Sequence, residues 1–104
     1  MKKVINGKMY NTDTAKEIES YTNGLSWTDF NFICKTLYQK RTGEYFIFIS
    51  GGARSIANYT CEDGSISGGY MFVICGFDEK HAKYVFENIE DLYYYGELKN
   101  YKKY

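Results

Sequence analysis

A chain of 104 residues, 44% hydrophobic and 25% charged, has the size and composition of one globular domain with a single core that needs neither disulfide nor metal to fold. Thirteen basic and thirteen acidic side chains give a formal net charge of zero, which excludes the strong overall field of a non-specific nucleic-acid or membrane-surface binder. Three cysteines (Cys34, Cys61, Cys75) without a CxxC pair, no signal-peptide-like start after Met1-Lys2-Lys3, and no run near the roughly 18 apolar residues of a membrane span point to a cytoplasmic protein with free thiols.

In chain order, Val4-Ile5, the turn pair Asn6-Gly7 and Lys8-Met9-Tyr10 predict a β-hairpin over 2–10. Thr14-x-x-Glu17 has the form of a capping box, and Ala15, Ile18 and Thr22 share one helical face, so a short helix is expected from there to Asn23-Gly24. From Asp29 through Phe30, Phe32 and Cys34 to Gln39 the pattern predicts a long aromatic strand. Arg41-Thr42-Gly43 is its turn, and the almost continuous apolar run Glu44 to Ser50 is the central strand. Gly51-Gly52-Ala53 ends it at a bend where backbone must pass close to something. The segment 54–69 has no periodicity; 55–59 is expected to form a brief helical turn or a short strand.

Tyr70 to Cys75 predicts a third central strand stopped by Gly76, and Asp78 is placed to N-cap a last helix. There Ala82, Val85, Phe86, Ile89, Leu92 and Tyr93 recur at three- and four-residue steps, leaving Lys80, Lys83, Glu87, Glu90 and Asp91 outward. Residues 94–104 form a Tyr/Lys-rich tail, either frayed helix or arm. The expected architecture is α+β: one domain spanning 1–104, a small antiparallel sheet (N-terminal hairpin plus three central strands) packed against two helices.

Few residues offer chemistry. The one histidine, His81, falls on the polar face of the last helix with no partner to orient it, and no Cys/His spacing assembles a zinc set. No catalytic residue, metal or cofactor is therefore expected, and Gly51 to Ser55 lacks the lysine and long helix of a phosphate loop. Binding is better served: 12 Tyr and 7 Phe supply rigid amphipathic contact area. Charge is unevenly spread, with eight cations against five acids in 1–54 and seven acids against two lysines in 62–91. One partner-binding set follows from the residues themselves. Lys35, Tyr38, Lys40, Arg41, Tyr45, Arg54 and Tyr59, with Tyr101 to Tyr104 of the tail, interleave cations with aromatics, as a surface that stacks bases and holds phosphates requires. Glu87, Glu90 and Asp91 form an acidic helix face.

Two stretches carry a family resemblance: Ile5-Asn6-Gly7-Lys8-x-Tyr10-x-Thr12-x-Thr14-Ala15, and Gly43-x-Tyr45-Phe46-x-x-x-x-Gly51-Gly52-Ala53-x-Ser55 with the later Ser67-Gly68-Gly69. In them the chain resembles a group of small proteins of phages and conjugative elements of Gram-positive bacteria that includes type II-A anti-CRISPR proteins, inhibitors of Cas9. It departs from that pattern at Cys75-Gly76-Phe77, where no proline precedes the helix, and in its tail. The resemblance implies stoichiometric binding to Cas9 or the Cas9–guide RNA complex that blocks guide loading or target capture. Glu87, Glu90 and Asp91 would serve a protein target with a positive RNA channel. Lys40, Arg41, Arg54 and the tail would serve direct RNA binding, the alternative being an RNA or single-stranded DNA-binding accessory protein of a mobile element.

Overall fold

The computed structural model of the chain describes residues 1–98 and 101–103. Its α+β architecture is a five-stranded antiparallel sheet with a helix pair on one face and a β-hairpin on the other. The hairpin consists of β1 (Lys2–Ile5) and β2 (Lys8–Asn11), turned by Asn6 and Gly7 at φ of 51° and 78°. Two consecutive left-handed residues are what a tight two-residue hairpin turn needs, and asparagine and glycine reach that region at the least cost.

The sheet is built from β3 (Lys16–Thr22), β4 (Ile33–Gln39), β5 (Tyr45–Gly51), β8 (Gly69–Gly76) and β9 (Tyr101–Lys103), in that spatial order. Between β5 and β8 a two-residue pair, β6 (Tyr59–Thr60) and β7 (Ile66–Ser67), forms a separate small ladder. The helices are α1 (Glu79–Glu87) and α2 (Ile89–Tyr94).

Alternation along the strands sorts the apolar residues into two cores. On the helix face Ile33 and Leu37 of β4, Tyr45, Ile47 and Ile49 of β5, and Met71, Val73 and Cys75 of β8 pack against Ala82, Val85, Phe86 and Ile89. On the other face Phe46 and Phe72 are fully buried beneath Ile5 and Tyr10 of the hairpin. Aromatic rings run across that face: Tyr38 stacks on Phe46 with centroids 5.3 Å apart, Phe72 lies 5.1 Å from Phe48, and Phe48 lies 5.8 Å from Tyr70.

Four expectations change. The segment after Thr14 is strand β3, because its backbone completes the ladder to β4 and its edge position asks for only one apolar contact, Ile18. Strand β4 begins at Ile33 rather than at Asp29; the Asp29 carboxylate accepts from Asn31 N–H at 2.7 Å and its carbonyl from Phe32 N–H at 3.1 Å, so 29–32 is a turn. The last helix starts as expected on Asp78, whose Oδ1 accepts from the backbone of Lys80 and His81, but it breaks at Asn88 (φ −113°, ψ 20°) into two. The tail does not extend the helix: Tyr101 to Lys103 pair with β8, while 99, 100 and 104 lie outside the described residues.

The bend after β5 is as close as its glycines suggest. A Cβ on Gly51 would meet the Phe32 carbonyl oxygen at 2.7 Å, and the Gly52 N–H donates to that same oxygen at 2.9 Å. Residues 55–57 form a turn, with Ser55, Ile56 and Ala57 buried.

Candidate functional site

A cleft of about 560 Å³ lies where the free side of β3 faces the α1–α2 junction. Glu19, Ser20 and Tyr21 form the strand wall; Glu87, Asn88, Glu90 and Asp91 form the helix wall; Lys35 and Phe86 lie at its base. The local conformations explain the assembly. Glu19 and Tyr21 pair with Leu37 and Lys35 of β4, so both side chains stand on the helix face of the sheet. The break at Asn88, whose side-chain amide donates back to the Tyr84 carbonyl at 2.9 Å, sets where Glu90 and Asp91 stand relative to Glu87.

Four carboxylates thus line a cleft with one ammonium group at its base. Lys35 Nζ donates to the Phe86 carbonyl and lies 4.6 Å from the Phe86 ring centroid and 5.3 Å from that of Tyr21. Burial pulls the Lys35 pKa below the usual lysine range, while Glu90, Glu19 and Glu87 act in the opposite direction. The cleft has the exposed Tyr21 ring for the apolar stem of a long side chain and carboxylates for its cationic end, a combination suited to lysine or arginine.

Of the residues singled out in the sequence, Glu87, Glu90 and Asp91 are brought together here. The cationic set is not. Lys40 is held by Glu44 (Nζ to Oε1, 3.3 Å) and sits 4.3 Å from the Tyr10 ring centroid. Arg41 is exposed in the adjoining turn, whereas Arg54 lies beside Asn31 and Ile33, at the other end of the seven-residue strand β4, about 20 Å away at the rise of a strand. Tyr59 is exposed on β6. Tyr38 is half-buried against Phe46. Tyr45 is a correction: it is buried in the helix-face core and offers no ring to a partner. The stacking platform expected of the sheet is likewise occupied, since the hairpin covers Phe46 and Phe72.

Sequence reasoning missed Glu19 and Tyr21, grouped Lys35 with the hairpin cations rather than with this cleft, and missed the loop 23–32. There Trp27 is 80% and Phe30 62% exposed, and the loop is tied by Asn23, whose amide donates to the Asn31 carbonyl at 2.8 Å. A solitary tryptophan among Gly, Ser, Thr and Asp, with no apolar period around it, was the available signal.

A second concavity of about 430 Å³ is lined by Ile5, Lys8, Tyr10, Glu44, Cys75 and His81, among others. Glu44, 4% exposed, accepts from Tyr10 OH at 3.0 Å as well as from Lys40. His81 is exposed at its rim. Burial and the Glu44 carboxylate hold the Tyr10 hydroxyl well above the usual tyrosine range, and burial pushes the Cys75 thiol up to about 12, so neither is a ready nucleophile at neutral pH.

These two groups predict an alkaline limit. Both are neutral when protonated, so their contribution is complete below pH 9; above the usual values of 9.0 for the thiol and 10.0 for the phenol, the unfolded chain sheds protons that the folded chain keeps. Stability therefore falls with rising pH, by up to ~1.4 kcal/mol per pH unit for each group titrating only when unfolded. Urea unfolding measured from pH 8 to 11 should show this decline beginning near pH 9, and Tyr10→Phe should flatten it above pH 10.

Among the described residues no group of three or more His, Cys, Asp or Glu side chains is placed to hold a metal ion, and no helix is long and apolar enough to cross a membrane. Comparison of the chain with protein-family models, with curated proteins and with solved structures finds no match.

Proposed function

We propose that the protein is a stoichiometric inhibitor that docks through its acidic cleft on a positively charged surface of a nucleic-acid-handling effector. The effector class implied by the sequence resemblance is type II-A Cas9, blocked at guide loading or target capture. The observation that supports this reading is the gathering of Glu19, Glu87, Glu90 and Asp91 around one cleft, while the cations are divided between the two ends of β4 and Lys40 is neutralised by Glu44. A groove in which carboxylates outnumber the one ammonium of Lys35 attracts a surface of opposite charge and orients its approach.

The test is a DNA-cleavage assay with the protein added to Cas9 before or after the guide RNA. Inhibition is expected, and the double reversal Glu90→Lys with Asp91→Lys, both exposed positions, should weaken it on the order of tenfold or more. Full cleavage in excess protein under both orders of addition sinks the proposal. Retention of RNA alone at low salt, lost on Lys40→Ala with Arg41→Ala, would transfer the function to the cations.

A further inference from the structure

Strand β3 is one edge of the sheet: among the described residues it has a strand neighbour, β4, on one side only. An open edge presents a row of backbone donors and acceptors, and proteins that must not use such an edge blunt it with charge and bulges. The first half of β3 is blunted in this way, by Lys16, Glu17 and a register shift between Glu17 and Glu19. The second half is not. From Glu19 to Thr22 the ladder is regular, against Leu37, Thr36, Lys35 and Cys34 in turn. The regular half is also the half that borders the cleft, for Glu19, Ser20 and Tyr21 are its strand wall.

We propose that this edge accepts an extended, lysine- or arginine-bearing segment of a partner protein by strand addition, with every second side chain of the segment reaching back over β3 into the acidic cleft. A strand added to β3 lies about 4.8 Å beyond it, and its side chains alternate between the two sheet faces. Those on the helix face point past Glu19 and Tyr21 toward Glu87, Glu90 and Asp91. A long cationic side chain matches a cleft in which four carboxylates outnumber the one ammonium of Lys35. Tyr21, exposed beside the Lys35 ammonium, provides an aromatic wall.

Charge also selects against two registers of pairing with a second copy of the chain, whereas a register centred on Ser20 sets Glu19 opposite Tyr21 and is decided by the test below. Antiparallel self-pairing centred on Ile18 sets Glu17 opposite Glu19, and pairing centred on Glu19 sets that residue against itself; like charges directly opposite destabilise a ladder. Acidic segments and nucleic-acid backbones meet the same repulsion.

The inference rests on the reading that the cleft docks a basic partner, and not on which partner that is. Its probe is a six-residue alternating Lys-Val peptide, with a Glu-Val peptide and a Lys-Val peptide N-methylated at alternate residues as controls, added to the whole protein. Tighter binding of Lys-Val than of Glu-Val by about tenfold or more, slowed amide exchange confined to β3, and about tenfold weaker binding of the N-methylated form are expected. Equal binding of the two Lys-Val forms without protection of β3 overturns strand addition but leaves the acidic cleft as the docking site. No preference for Lys-Val over Glu-Val overturns the inference too, and if Cas9 inhibition still falls with Glu90→Lys and Asp91→Lys, the cleft contacts a folded surface instead. A dimer abolished by Glu19→Lys would assign the edge to a second copy and equally overturn it.

Discussion

Replacing Gly52 with alanine is expected to cost about 3 kcal/mol or more, the upper end of what overpacking does. The Cβ would stand 2.6 Å from the Phe30 carbonyl oxygen and nearer still to that of Asp29, and both obstacles are backbone. A side chain in the way can rotate aside. A carbonyl held by the turn 29–32 and accepting from Arg54 N–H at 2.8 Å moves only if the whole turn moves. Gly24, whose added Cβ meets nothing within 4 Å, supplies a contrast: its penalty is confined to backbone strain at φ of 79°. Urea unfolding of the two alanine variants should place Gly52→Ala well below Gly24→Ala; a smaller loss at Gly52 would show that 29–32 yields easily. Because the loop 23–32 that contains this turn also carries Trp27, the change should also shift the tryptophan emission.

Phe46→Ala is expected to remove about 3–5 kcal/mol, the range for deleting a large buried ring. Phe46 is fully buried and contacts three other rings: Tyr38 stacked at 5.3 Å, Tyr10 edge-on at 5.4 Å and Phe72 at 6.0 Å. It is where the β1–β2 hairpin meets the sheet, so the cavity loosens two layers at once. Against a total of about 5–15 kcal/mol for a domain of this kind, that loss leaves the fold marginal. Denaturant titration measures it through the midpoint. Phe48→Ala, at a half-buried neighbour on the same strand, should lose distinctly less, and equal losses would contradict the burial difference between the two positions.

Features legible in the sequence are those fixed within a few residues. Asn6-Gly7 dictates its turn through left-handed dihedrals, Asp78 caps its helix through its own carboxylate, and Gly51-Gly52 marks a close backbone approach because no side chain fits there. Strand β3 was hidden by its own irregularity. The bulge between Glu17 and Glu19 breaks the two-residue alternation and brings Ile18 onto the core, so that Ala15, Ile18 and Thr22 imitate a helical face. The same mistake concealed half of the cleft. Glu87, Glu90 and Asp91 could be grouped from helical spacing, but Glu19, Tyr21 and Lys35 join them only through cross-strand pairing, which no local pattern encodes.

Strand order in the main sheet follows chain order, and that bears on how the molecule assembles. The link between β4 and β5 is five residues, that between β3 and β4 ten, and that between β5 and β8 seventeen. Closing a loop costs more entropy as it lengthens, by about 0.6 kcal/mol per doubling. The β4–β5 hairpin is therefore the cheapest nucleus within the main sheet, and it already carries Leu37, Phe46, Ile47 and Ile49, residues from both cores. Growth outward from it adds β3 to one side and β8 to the other, and the helix wall of the cleft, which follows β8 in the chain, is the later of its two walls to arrive.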